Sequence, residues 1–187
     1  AIYSFWNPAA PTQDDVYLKK VEQKREEKIK FLTNDQQSPI KDKTILKSLD
    51  YFKPDKRFLI RAKIERLEEP TTLSIPLSTG ESKNYIRFAK AKFQWEGKSY
   101  QLTLFKTALP DPMVFVPFKD LTNNRSTYGA GRYMDLAIPK NATHIDLDFN
   151  LAYNPFCAYN DDFACPLPPA ENHLNLAIEA GEKKIKP

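Results

Sequence analysis

Residues 57–65, RFLIRAKIE, set Phe58, Ile60, Ala62 and Ile64 alternately between Arg57, Leu59, Arg61, Lys63 and Glu65. A period of two places the four apolar side chains on one face of an extended chain, the pattern of a strand with one buried side. Residues 83–95 and 98–107 repeat the alternation, with Phe93 and Trp95 before Glu96-Gly97-Lys98 and Tyr100, Leu102 and Leu104 after it. Two such runs around a short glycine-containing turn predict a β-hairpin. Further strands are expected at 113–117, 131–138, 143–150 and 173–179. Because no amphipathic helices separate them, a parallel βαβ arrangement is disfavoured. The expected fold is therefore mainly β, an antiparallel barrel or strongly bent sheet.

Upstream the period changes. Residues 1–11, AIYSFWNPAAP, read as irregular, since Pro8 and Pro11 break any helix. Thr12 can then cap a helix over about 12–32, with Asp14 and Asp15 in its first turn and Leu18, Val21, Ile29 and Leu32 at helical spacing. Its middle mixes Lys19, Lys20, Lys24, Lys28 and Lys30 with Glu22, Glu26 and Glu27, so it reads as a surface arm or lid. A chain of 187 residues suits one core. A single domain is expected, with an arm and helix in about 1–35 and a β domain in about 38–183; no repeat or linker divides it.

Apolar residues make up 41% of the chain and aromatics 12%, which excludes wholesale disorder, while 15 prolines against 5 glycines favour strands and loops over a helical bundle. The net charge of +4 is small, and the lysines alternate with acids, so nucleic acid is not expected as a partner. No apolar run approaches the roughly 18–20 residues that span a bilayer, so no transmembrane segment is expected and the mature chain should be soluble. The chain begins at Ala1 without an initiator methionine, which fits either a removed signal peptide or a trimmed chain.

The stretch from Phe115 to Glu182 concentrates glycines, prolines, tyrosines and short polar residues. That mixture describes backbone forced through special geometry and pinned by side-chain hydrogen bonds. In FVPFKDLTNNRSTYGAGRYMDL, 115–136, Asp120, Thr122, Asn123 and Asn124 form a turn ahead of Tyr128-Gly129-Ala130-Gly131 and Arg132-Tyr133. The glycine spacing fits neither a dinucleotide fingerprint nor a P-loop. Arg132 has two readings: it braces the sheet against a carboxylate, or it grips an anionic or carbonyl-bearing ligand. In HIDLDFNLAYNPFCAYN, 144–160, alternation brings Asp146, Asp148 and Asn150 onto one face, about 7 Å apart, close enough for acid–base work or a shared cation. Asp146 reads as solvent-facing, and Asp148, ahead of a Phe-Asn-x-x-Tyr-Asn-Pro turn, as a buried or site residue.

Cys157 and Cys165 leave three readings open. A disulfide would close a short loop and stabilise by roughly 2–3 kcal/mol, and it is the favoured one. A reactive thiol needs an activating partner that the sequence does not place. A metal site with His173 lacks the close cysteine pitch of zinc motifs, so no metal is expected. Cys165-Pro166-Leu167-Pro168-Pro169 is a stiff extended segment that delivers Glu171 and Asn172 to a fixed place.

The two runs FVPFKDLTNNRSTYGAGRYMDL and LDFNLAYNPFCAYNDDFACPLPPAENHLNLAIEAGEK resemble the bacterial domain-of-unknown-function family 1684. The likeness extends upstream through SPI at 38–40, LDYFKPDKRF at 49–58 and the hairpin near Trp95. The family pattern falls on residues including Phe118, Asp120, Thr122, Tyr128, Gly129, Gly131, Arg132, Tyr133, Asp148, Asn150, Tyr153, Asn154, Cys157, Cys165, Asn172 and Gly181. Asn124 stands where the family carries glycine, and His173 where other residue types are usual, which argues against His173 as a ligand or base. The short N-terminal half looks like the Bacteroidetes form, whose members are often exported, so the resemblance implies a periplasmic or secreted protein; a cytoplasmic one is the alternative. It assigns no activity, and whether the chain is an enzyme and which cofactor it takes stay unknown.

The expected function is binding, with or without catalysis, of a small anionic or polar molecule in a pocket around Arg132 and Asp148. Its lining would be Asp120, Tyr128, Arg132, Tyr133, Asp148, Asn150, Tyr153, Asn154 and Asn172. The alternative is a non-catalytic module in which the same residues only brace a difficult loop crossing, and exposed aromatics bind protein or glycan. Reaction class, ligand identity and oligomeric state are not legible.

Overall fold

The computed structural model describes residues 12–185; the irregular stretch expected at 1–11 lies outside them. Helix α1 (Gln13–Asn34) starts where Thr12 accepts the Asp15 backbone N–H at 3.1 Å while the Asp15 carboxylate accepts that of Thr12 at 2.9 Å. This reciprocal box satisfies donors that a helix start leaves open.

The β strands are β1 (Leu59–Pro76), β2 (Ser82–Trp95), β3 (Lys98–Lys106), β4 (Met113–Phe118), β5 (Arg132–Ala137) and β6 (His144–Asp148). They form one sheet in the order β5-β4-β3-β2-β1-β6, antiparallel throughout and curled into a nearly closed barrel. The β2–β3 turn uses Glu96 and Gly97 with φ of 46° and 76°, the two positive values whose twist matches that of a hairpin. The alternation at 58–64 points inward as expected. Ile60, Ala62 and Ile64 join Phe93, Leu102, Leu104, Val116 and Leu147 in the core, and Phe118 and Phe93 pack on Phe149 at ring distances of 5.3 and 6.2 Å.

Three features differ from the sequence reading. β1 continues well past Glu65, because its pairing with β2 resumes at Thr71 after an irregularity, in an arm whose side chains are mostly exposed. Residues 173–179 do bury alternate side chains, Leu174, Leu176 and Ile178, but form no strand. Apart from a bridge from His173 to Lys119, this segment is held by loop contacts, and the Ile178 carbonyl accepts from the Arg132 side chain where a neighbouring strand would have donated. In α1, Ile29 is exposed. The face turned to the barrel carries Val21, Arg25, Lys28 and Leu32, and its contacts are largely polar: Tyr17 to Asp148, Arg25 to the Asn150 and Phe52 carbonyls, Lys28 to Glu182. A helix docked by cations has a weak apolar period, which is why its buried face was hard to read.

Candidate functional site

Arg132 opens β5 and has no exposed surface. Its Nη2 donates to Asp120 Oδ2 at 2.8 Å and to the Ile178 carbonyl at 2.9 Å; Nη1 donates to the carbonyls of Ala180 and, at 3.4 Å, Glu182. Asp120 is equally committed. Oδ1 accepts from the Thr122 N–H at 2.8 Å, the Thr122 hydroxyl at 2.5 Å and the Ile178 N–H at 3.3 Å. A planar fork can serve a carboxylate and several carbonyls at once, which a point charge cannot. Arg132 is thus the brace for a C-terminal segment that has no sheet partner. Gly131, with φ of 106°, lets the chain enter this corner, since a Cβ there would lie 2.7 Å from the Phe118 carbonyl.

The three expected asparagines repeat the device with neutral groups. Asn150 accepts the Asp55 N–H at 2.9 Å and donates to the Asp55 carbonyl at 2.8 Å, imitating a strand neighbour. Asn172 does the same for Thr103, at 2.7 and 3.0 Å, and adds the Pro117 carbonyl at 2.8 Å. Asn154 donates to Glu182 and to the Lys183 carbonyl. All three are fully buried, so satisfying these backbone groups avoids the penalty of leaving them dry. Tyr133 donates to the Pro166 carbonyl and stacks edge-on against Tyr153, and Tyr128 reaches the Cys157 sulfur at 3.8 Å. Beside the Asp120 turn a hollow of about 270 Å³ is lined partly by Lys119, Asn124, Gly129 and His173. The Asn124 backbone, φ 65°, takes the left-handed conformation that glycine would supply.

Arg132 and Asp148 therefore do not share a cavity. Asp148 ends β6, caps the short 3-10 turn at Phe149–Leu151, and faces a different hollow, of about 210 Å³, between α1 and the barrel. Lys24, Met134, Asp135, Leu136, Leu151 and Tyr153 complete its lining. Asp148 Oδ1 accepts from the Tyr17 hydroxyl at 2.8 Å and the Asn150 N–H at 3.2 Å, and the Asn150 side-chain amide acts on the same carboxylate. Burial raises the Asp148 pKa above the usual carboxylate value, against the lowering effect of those bonds and of Arg25. Asp135 stands exposed at the rim and accepts from the Tyr153 hydroxyl; loss of water on its packed side raises its pKa as well.

Asp135, Lys24, Lys28 and Glu182 were missed. Asp135 sits on the outward face of an alternating strand and looks like any solvated acid. Glu182 is fully buried, bonded by Lys28 at 2.6 Å, by the Asn154 N–H at 3.1 Å and by Tyr159; its position directly after Gly181 was the one available signal. Glu171, delivered by the proline-rich segment, pairs with Arg87 at 2.8 Å and not with Arg132.

Cys157 and Cys165 are free thiols, which corrects the expected disulfide. Their sulfurs lie 3.0 Å apart, well short of a bond, and the Cys165 sulfur accepts the Cys157 N–H at 3.1 Å. A hydrogen bond from Cys165 lowers the Cys157 thiol to about 6 in spite of burial, and the same contact, with burial, raises Cys165. No helix of the described residues is long and apolar enough to cross a membrane.

Comparison with known proteins adds a family and a fold. The solution NMR structure of an uncharacterised protein of Haloarcula marismortui is 36% identical, with a TM-score of 0.73, over 91% of this chain and 95% of that one. A search of curated proteins finds no match. The model of the family described as "Protein of unknown function (DUF1684)" matches residues 44–183, the β domain with its Arg132 brace and Asp148 hollow, and the chain belongs to that family.

Proposed function

We propose that the domain binds a small polar molecule in the hollow between α1 and the barrel, through Asp148, Asp135 and Tyr153. The observation that carries this reading is the partly buried Asp148 carboxylate lining the hollow together with Asp135 and the Tyr153 hydroxyl, two acids against the single cation Lys24. Two carboxylates in a partly dry hollow favour a ligand that donates, such as an amine or a polyhydroxyl compound. The volume is below the roughly 300–1,000 Å³ of pockets for drug-sized ligands, so the ligand is smaller than these. With both Arg132 terminal nitrogens bonded to protein groups and its unpaired Nε buried out of reach, an anion has no access there. Thermal-shift measurements with small amines, amino sugars and polyols test the reading, since a ligand of the native state raises its apparent stability. Binding should raise the melting temperature of the wild type and lose that effect in Asp148→Asn and Asp135→Asn. Shifts that persist in both variants, or none from any donor, would sink it.

The sealed Arg132–Asp120 network supports a second reading for its own residues, that of a brace without a ligand. Export is proposed on the family likeness alone, and the free thiols lend it no support. Fractionation of cells expressing the natural-length protein tests it; recovery solely in the cytoplasm would refute it.

A further inference from the structure

A larger hollow, of about 660 Å³, opens where the β3–β4 loop meets the β5–β6 turn. Its walls are apolar, built largely from Phe88, Leu109, Pro110, Pro112, Ile138 and Pro139, and Leu109 is half exposed on its lip. The lining also holds the buried Lys106 and, exposed at the mouth, Arg66 and Lys140, against one acid, Asp111. None of the three cations has an ion pair among the described residues.

Two of them are held in place. Lys106 is only 6% exposed; its Nζ lies 4.0 Å from the centre of the Phe88 ring and donates to the Asp111 carbonyl. The Arg66 guanidinium lies over the other part of that aromatic environment, 5.1 Å from the same ring centre, with Nη2 donating to the Lys140 carbonyl at 2.7 Å. Arg66 Nε and Nη1 donate to nothing among the described residues, so N–H groups on either side of the committed Nη2 are left for single hydrogen bonds. The Asp111 carboxylate accepts the Met113 N–H, at 2.8 Å, and acts on Lys106 only from beyond ion-pair distance. Withdrawing an ammonium from water without a paired carboxylate is costly, and the ring face and the more distant Asp111 offset only part of that cost. What is lacking is one negative charge attached to something apolar.

We infer that this groove binds an amphipathic monoanion, a carboxylate on a short apolar chain or ring. The carboxylate takes one free N–H of Arg66 and the Lys106 ammonium, and the apolar body covers Phe88, Ile138 and the prolines. The volume falls within the usual range for small-molecule pockets. This site is separate from the Asp148 hollow and asks for the opposite ligand charge, so the two proposals fail independently.

Isothermal titration of the full chain with octanoate, octanol and octylammonium tests the inference. Octanoate should bind saturably and most tightly, and octylammonium not at all. Arg66→Gln and Lys106→Met should each weaken octanoate about tenfold or more, as expected for the loss of one charge-assisted hydrogen bond, while Asp148→Asn leaves it unchanged. Octanol binding as tightly as octanoate, or octanoate affinity unaltered in both groove variants, would overturn it. Because Arg66 also ties down the β5–β6 turn, amide chemical-shift mapping on the unaltered chain supplies a check free of folding effects. Octanoate should move the resonances of Phe88, Leu109 and Ile138; shifts confined elsewhere, or no saturable shift, would refute the inference.

Discussion

Replacing Arg132 with methionine should remove a large part of the domain's stability. The change leaves the Asp120 carboxylate buried without its cation, and breaking a buried pair in this way costs about 3–5 kcal/mol. It also strips the Ile178 and Ala180 carbonyls of their donor, at about 1–3 kcal/mol for each acceptor that water cannot reach. Against a total of about 5–15 kcal/mol for a domain, this variant will be marginal or unfolded. Arg132→Lys is the readable experiment. Lysine retains a charge for Asp120 but lacks the fork, so it should lose about 2–4 kcal/mol, the cost of one or two orphaned carbonyls. Urea denaturation at neutral pH measures both losses. If Arg132→Lys falls within about 1 kcal/mol of the wild type, or Arg132→Met folds with near-native stability, the guanidinium is not the brace of the 176–182 segment and the reasoning fails.

Asp148 gives a pH signature. Burial raises its folded pKa above the unfolded value near 3.9, so the native state holds the proton more firmly and stability from this group falls as pH rises through that window. Asp148→Asn keeps an acceptor for Tyr17 and should be more stable than the wild type at neutral pH, with the advantage shrinking as pH falls toward about 4; an advantage that grows on acidification would contradict the assignment, as read from urea midpoints across pH. Gly131→Ala should cost more than about 1 kcal/mol, and more than Gly80→Ala, because both have positive φ but only at 131 would the new methyl meet backbone; equal melting temperatures for the two variants would dispose of the close-approach argument. Both cysteines should remain alkylatable in protein unfolded without reductant, and intact mass should not change on adding reductant; a reductant-dependent mass would restore the disulfide.

The barrel was legible in the sequence because each strand buries one face, and alternation in residues such as Phe58, Ile60, Ala62 and Ile64 records that burial locally. The cap of α1 was legible for the same reason, since Thr12 and Asp15 satisfy each other across a single turn. The concentration of polar residues between Phe115 and Glu182 marked where the backbone departs from regular pairing, and the need of Arg132 for a carboxylate followed from the cost of burying it alone. What those residues do was decided by partners distant in the chain. Arg132 serves carbonyls 46 to 50 positions away, Asn172 a strand 69 positions back, and Asn150 a loop 95 positions back. No local pattern encodes such pairings, because a side chain that substitutes for a missing strand is chosen by whichever backbone groups the closed barrel leaves dry. The same holds for Asp135 and Lys106. Their side chains are ordinary in sequence, and only the folding of α1 over one and of two loops around the other turns a surface charge into the wall of a hollow.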